Sequence, residues 1–207
     1  HVYEFSIEED PKGRRIVMAL APGTGSSCVV LTGHYDVVDT NNYGVLEPFA
    51  FDPENLTKRM LQTLSSKQAL SPAEALLKKD LESGAFIPGR GMLDMKSGLA
   101  AGIAALAAFL DDAERVGNIL YLAVPDEEGS SVGMKAAKKI LSTFAAEHGL
   151  ALRAIINLDA AVDQGDGAEG KAVFVGSVSK LLPFVLFVGK PAHAGAPARQ
   201  QRRGAAP

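Results

Sequence analysis

Cys28-Val29-Val30-Leu31-Thr32-Gly33-His34-Tyr35-Asp36 is the stretch whose reading decides the fold. Its first half is a short apolar run of the kind that fills the centre of a sheet. A glycine ends the run, and a histidine and a carboxylate follow at once. The same grammar returns twice downstream. Residues 119–124 form an apolar strand that runs into Pro125-Asp126-Glu127-Glu128-Gly129, and residues 154–158 form another that runs into Asp159. Between these strands the period changes: Leu99, Ile103, Leu106 and Leu110 recur at helical spacing on an Ala-rich background, which predicts a buried helix. Met134, Ala137, Leu141 and Phe144 predict a second helix, ended by His148-Gly149. Strands alternating with helices predict an α/β fold, a mixed and mostly parallel sheet with helices on both faces.

Outward from this core the signals are local. Val2, Tyr3, Phe5 and Ile7, then Asp10-Pro11-Lys12-Gly13, then residues 16–20, read as a hairpin. Pro22-Gly23-Thr24-Gly25 reads as a loop. Residues 41–88 are a long connection with helical stretches over 53–64 and 71–81. A strand-like pattern resumes over 181–188, and residues 198–207 lack periodicity. Residues 1–180 are therefore expected to form the main domain, and 181–207 the start of a second, small α+β segment and an irregular tail.

Composition narrows the function classes. The chain of 207 residues can bury one sizeable core, and its net charge of −3 offers no broad basic surface for nucleic acid. Cys28 is the sole cysteine, which excludes an internal disulfide framework and a cysteine-built zinc finger and fits a cytoplasmic protein. No apolar run is expected to span a membrane, and the N-terminus is not a signal peptide.

In open α/β sheets ligands bind beyond the carboxyl ends of the strands, so the three polar clusters should converge there. A fourth, Gly89-Arg90-Gly91-Met92-Leu93-Asp94-Met95-Lys96-Ser97-Gly98, leads into the predicted helix. Taken singly these residues are unremarkable: adjacent acids are usually solvated, and an aspartate before a helix is usually a cap. Together they supply one imidazole and several carboxylates without a thiolate, a donor set that suits catalytic zinc, or manganese or cobalt. Asp36 lies two residues from His34 and projects to the same side in extended chain, where a carboxylate can orient the imidazole. Adjacent Glu127 and Glu128 can divide metal ligation from proton transfer. Lys96-Ser97 resembles the end of a phosphate loop, but Met95 stands where that loop needs glycine, which weakens a nucleotide-binding reading.

The ordered motifs Gly33-His34-Tyr35-Asp36-Val37-Val38, Gly89-Arg90-Gly91 through Asp94-Met95-Lys96, Asp126-Glu127-Glu128-Gly129-Ser130 and Asn157-Leu158-Asp159 resemble the co-catalytic zinc hydrolases. That family includes aminoacylase, acetylornithine deacetylase, succinyl-diaminopimelate desuccinylase and carboxypeptidase G. A fifth motif, Gly189-Lys190 through His193-Ala194-Gly195, follows in order. Asp159, the run Gly176-Ser177-Val178-Ser179-Lys180-Leu181-Leu182-Pro183 and the insert after Asp39 look closest to the arginine-utilisation type. The resemblance implies a hydrolase acting on amide bonds of N-acyl amino acids or short peptides with two metal ions. It implies His34, Asp94 and Asp159 on one ion, Asp94 and Glu128 on the other, and Glu127 as general base. Asp36 would orient His34, and Asp94–Met95 would be a cis peptide. His193 would stabilise an oxyanion from a lid that pairs two subunits into a homodimer. After Pro197 the chain departs from the pattern and ends without the last histidine ligand. It is therefore expected to be a truncated form, weakly active or inactive, holding at most one metal ion well; the alternative is a folded, non-catalytic remnant.

Overall fold

The computed structural model, which describes residues 1–159 and 175, opens with the expected hairpin. Strand β1 (Val2–Ser6) runs antiparallel to β2 (Arg15–Ala21), with Phe5 opposite Ile16. The sheet continues through β4 (Val116–Val124) and β3 (Thr24–His34) to β5 (Ala151–Asn157), in the order β1-β2-β4-β3-β5. β2 is antiparallel to both of its neighbours, while β3 is parallel to β4 and to β5. Among the described residues β2 alone therefore runs against the other strands. β3 starts earlier than its apolar run suggested: Thr24, expected in a loop, donates its N–H to Arg115 O (3.1 Å), and a register shift between Thr24 and Cys28 absorbs the irregularity.

Among the described residues, each face of the sheet carries one helix. On one face α4 (Val132–Glu147) lays Ala137, Leu141 and Phe144 over Ile16, Met18, Cys28, Val30, Leu120 and Leu122. On the other, α3 (Gly98–Asp111) sets Leu99 and Leu106 against Leu31, Tyr121 and Ala123. The buried stripe of α3 is centred on Gly102 rather than on the leucines. Ile103 and Leu110, expected inside, are 56% and 44% exposed among the described residues because they lie on the flank of that stripe. The glycines matter here for closeness of approach. A Cβ on Gly98 would lie 1.9 Å from Leu158 O, and one on Gly102 would lie 2.6 Å from a Leu158 methyl.

One correction concerns Met92–Asp111. By length and composition this segment, with a mean hydropathy of 1.5, is long and apolar enough to cross a membrane, although the sequence reading found no such run. The alanines of α3 raise its hydropathy, and the segment also contains Asp94 and Lys96. A helix that rests on a sheet passes the same test.

The long connection folds on itself. Successive 3₁₀ turns over Asn41–Phe49 lead to α1 (Pro53–Ser65) and α2 (Pro72–Ser83). Asp52 caps α1 by accepting Asn55 N–H (3.1 Å), and Ser71 and Glu74 form a reciprocal capping box on α2. The chain divides into the units His1–Lys171 and Ala172–Pro207, and every described element belongs to the first. The expected boundary at 180, the strand over 181–188 and His193 lie outside the described residues.

Because backbone on β5's exit blocks a side chain at position 98, Gly98→Ala is expected to destabilise the protein. Overpacking of this kind costs about 2 kcal/mol. That corresponds to a fall in Tm of roughly 4–8 °C for a chain of this size, measurable by thermal unfolding.

Candidate metal centre

The parallel register brings the polar clusters together. His34 stands opposite Val124 in the β3–β4 ladder, and Thr32 stands opposite Asn157 in the β3–β5 ladder. Two further bonds carry the alignment past the strand ends: Tyr35 N–H to Val124 O (3.0 Å) and Leu158 N–H to Thr32 O (2.8 Å). His34, Glu127 and Asp159 thus leave one edge of the sheet side by side.

His34 is 3% exposed, and its ring is fixed from two directions. Nδ1 meets the backbone carbonyl of Asp36 at 3.0 Å, so Nδ1 carries the proton and donates. Nε2 then faces Asp94 Oδ1 at 3.0 Å and Glu127 Oε2 at 3.8 Å. A deprotonated nitrogen opposite carboxylate oxygens is a set of acceptors without a donor, and only a proton or a cation between them makes the arrangement attractive. Burial alone would lower the His34 pKa; the Asp36 carbonyl and the charges of Asp36, Glu127 and Asp94 outweigh it, and the net shift is upward.

The Asp94 side chain is delivered by an irregular turn, Met92–Ser97, in which Asp94–Met95 is a cis peptide. Met95 is fully buried, and its sulfur lies 3.0 Å from the His34 backbone N–H. A Cβ on Gly33 would fall 2.3 Å from the Met95 methyl, so glycine at 33 makes room for the side chain that seats the turn.

Asp36 meets His34 through its backbone carbonyl; its carboxylate Oδ1 is 3.6 Å from Nδ1, beyond hydrogen-bond distance. The carboxylate instead accepts the backbone N–H groups of Glu127 and Glu128, each at 3.1 Å. It therefore fixes the loop that carries both acids. Burial, then the charges of Asp94 and Glu127, raise the Glu128 pKa. Ligand atoms of His34, Asp94 and Asp159 lie within 4.8 Å of one another, and so do those of His34, Glu127 and Glu128. Each group has the donors and the compactness that a divalent cation needs, with one nitrogen and the rest oxygen. An adjoining cleft of about 370 Å³ is lined by Gly33, His34, Glu127, Ser131, Met134 and Asn157, among others.

One part of the arrangement escaped the sequence reading. Arg14, in the hairpin, pairs with both Asp10 and Asp126. Nothing in the spacing links positions 112 residues apart; the only hint was Asp126 standing beside the glutamates.

Comparison with known proteins adds independent information. The family model described as "Peptidase family M20/M25/M40" matches residues 72–196. That span includes Asp94, Glu127, Glu128, Asp159 and His193, while His34 and Asp36 precede it. The chain is 32% identical to Protein RocB of Bacillus subtilis (strain 168) over 198 residues, 94% of this chain and 34% of that protein. It is 30% identical to Uncharacterized protein YqjN of the same organism, over 95% of the chain and 35% of that protein. A succinyl-diaminopimelate desuccinylase from Maricaulis maris (strain MCS10) is 31% identical over 67% of the chain and 29% of its own length. The chain thus spans about a third of the length of the curated relatives it matches.

A ligating imidazole must be neutral, so protons compete with metal for Nε2. Because the His34 pKa is raised, this competition begins at a higher pH than for an ordinary histidine. Zinc affinity is expected to fall as pH drops from about 8 to about 6, approaching tenfold per unit below the pKa. Zinc titrations against a competing chelator across that range check this; a flat profile would remove His34 from the ligand set.

Proposed function

The chain belongs to Peptidase family M20/M25/M40, and on that premise we propose that it carries the metal centre of a hydrolase of amide bonds. The observation that carries the proposal is the convergence of Asp94, Asp159, Glu127 and Glu128 on the buried imidazole of His34. Glu127 beside the candidate ligands, with an open cleft next to both, suits hydrolysis by metal-activated water.

In this reading His34, Asp94 and Asp159 would hold one divalent ion well, and Asp94 and Glu128 would offer two donors to a second. Zinc fits the donors, as do manganese and cobalt. Once bound, such ions supply Lewis acidity toward the scissile carbonyl and make water more acidic near neutral pH. The chain's own groups do the rest. Glu127 Oε2, 3.8 Å from His34 Nε2, takes the proton from the attacking water and passes it to the leaving nitrogen. Asp36 keeps the backbone of Glu127 and Glu128 in place through its two amide contacts. The Asp36 carbonyl holds His34 in the tautomer that turns Nε2 toward the ligands.

The substrates we propose are N-acyl amino acids or short peptides, in a protein of the arginine-utilisation type. The segment from residue 181 would begin a lid through which the full-length protein forms a homodimer, with His193 stabilising the oxyanion. A cytoplasmic location belongs to the same proposal.

Two substitutions separate ligand from base. Glu128→Gln is expected to lower metal content after dialysis. Glu127→Gln should retain metal yet lose roughly a hundredfold or more of any hydrolysis of N-acetyl amino acids with added zinc, manganese or cobalt. Loss of metal from both variants alike would make Glu127 a ligand, and unchanged turnover in Glu127→Gln would dismiss it as the base.

A further inference from the structure

We propose that Arg14 is a positioning residue for this centre: its guanidinium ties the loop bearing Glu127 and Glu128, through Asp126, to the turn between β1 and β2. The inference rests on the metal-centre reading and goes beyond it, since Arg14 lies in none of the motifs that carry the resemblance.

The geometry is that of a fork between two carboxylates. Arg14 Nη2 donates to Asp10 Oδ1 (2.7 Å) and Nε donates to Asp10 Oδ2 (3.1 Å), while Nη1 donates to Asp126 Oδ1. The Asp10 carboxylate also accepts the Arg14 backbone N–H at 2.7 Å, which sets the stem of the side chain. The side chains of Arg14, Asp10 and Asp126 are only 21%, 1% and 14% exposed, so the network is shielded from water. Arg14 holds the Asp10 carboxyl at about 2, and both partners stay charged at any pH where the protein would work.

Asp126 passes the anchorage on. Its free oxygen, Oδ2, accepts the backbone N–H of Ser130 (3.1 Å) and of Val132 (3.2 Å), and its carbonyl accepts Ser131 N–H (2.6 Å). Its backbone sits at φ +70°, a conformation that a residue with a side chain adopts at a cost. The loop from 126 to 132 is thus held at one end by Asp126 and in its middle by Asp36, which grips the amides of Glu127 and Glu128. Without Arg14, Asp126 would lose its cationic partner and keep only the two amide donors on Oδ2, beside two more acids. A lysine would keep the charge but lacks the planar fork that reaches two carboxylates at once.

Partners that orient ligands commonly govern metal affinity by 10- to 100-fold. Arg14→Gln and Arg14→Lys should therefore weaken zinc binding about tenfold or more in chelator competition, with the fold intact by circular dichroism. The effect should nearly vanish when Arg14→Gln is made in a Glu128→Gln background. Amide hydrogen exchange, read without metal, should speed up at Glu127, Glu128, Ser130 and Val132 in both Arg14 variants. Arg15→Gln is the control, because the Arg15 side chain pairs with the exposed Glu4, away from the loop, and should change neither readout.

If wild-type chain binds zinc and Glu128→Gln weakens it, but Arg14→Gln acts equally in both backgrounds, Arg14 is merely structural and the proposal falls. Unchanged exchange at the four amides overturns it whatever the metal result. A wild-type chain that binds no zinc, with those amides still loosened by Arg14→Gln, would sink the metal-centre reading and leave Arg14 as a loop anchor without a centre to serve.

Discussion

The hydrogen bonds from Tyr35 N–H to Val124 O and from Leu158 N–H to Thr32 O prolong two parallel ladders just beyond their strands, and the site depends on them. They fix where β3, β4 and β5 end relative to one another, and so where the first polar side chain after each strand emerges. A slip of one residue in either ladder would turn alternate side chains to the opposite face. It would carry His34 away from the acids. The apolar interior of β3 and β4, packed by α4 on one side and α3 on the other, resists that slip because it would put buried side chains into water.

Convergence creates an electrostatic problem that the fold handles locally. Asp36, Asp94, Glu127, Glu128 and Asp159 approach one imidazole, and like charges in a partly buried place repel. Asp36 is offset by two backbone amides and Asp126 by Arg14 together with two more. Asp94 and Glu127 bring carboxylate oxygens within 3.0 Å and 3.8 Å of His34 Nε2, a common point. The division is physical: Asp36 and Asp126 direct their carboxylates at N–H donors of the loop, while Asp94 and Glu127 direct theirs toward His34 Nε2.

Much of this was legible in the sequence because local chemistry determined it. The apolar run 28–32, the glycine that stops it and the histidine after it specify a strand and what emerges from its end. The same holds for residues 119–128, and the capping residues Asp52 and Ser71 mark two helix starts directly. What was not legible depended on partners distant in the chain. The spacing of Asp36 and His34 suggested a carboxylate on the ring, but the three-dimensional turn offers the Asp36 carbonyl to the ring and the carboxylate to another strand's loop. Periodicity placed Ile103 and Leu110 inside, yet the close approach of Gly98 and Gly102 to Leu158 rotates the contact stripe away from them. Arg14 carried no signal of its own in the sequence, because its partner Asp126 lies at a different strand's exit, 112 residues away.

The insert between Asp39 and Gly89 shows why such a site tolerates a long interruption. Loop closure cost grows only slowly with length, and this segment offsets it with its own helices, α1 and α2, each with a proline in its first turn and a side-chain cap. Its return to the sheet is fastened near the His34–Asp94 pair. Arg90 donates its N–H to Ala50 O (2.8 Å), reaches Asn42 through its guanidinium (2.5 Å) and lies over the ring of Tyr43. The closing contact of the insert is therefore four residues before Asp94, and the turn that presents Asp94 starts from a fixed point. Variation within α1 and α2 leaves that anchor in place, because neither helix supplies Asn42, Tyr43 or Ala50, whereas a change at Arg90 would act on the Asp94 turn itself.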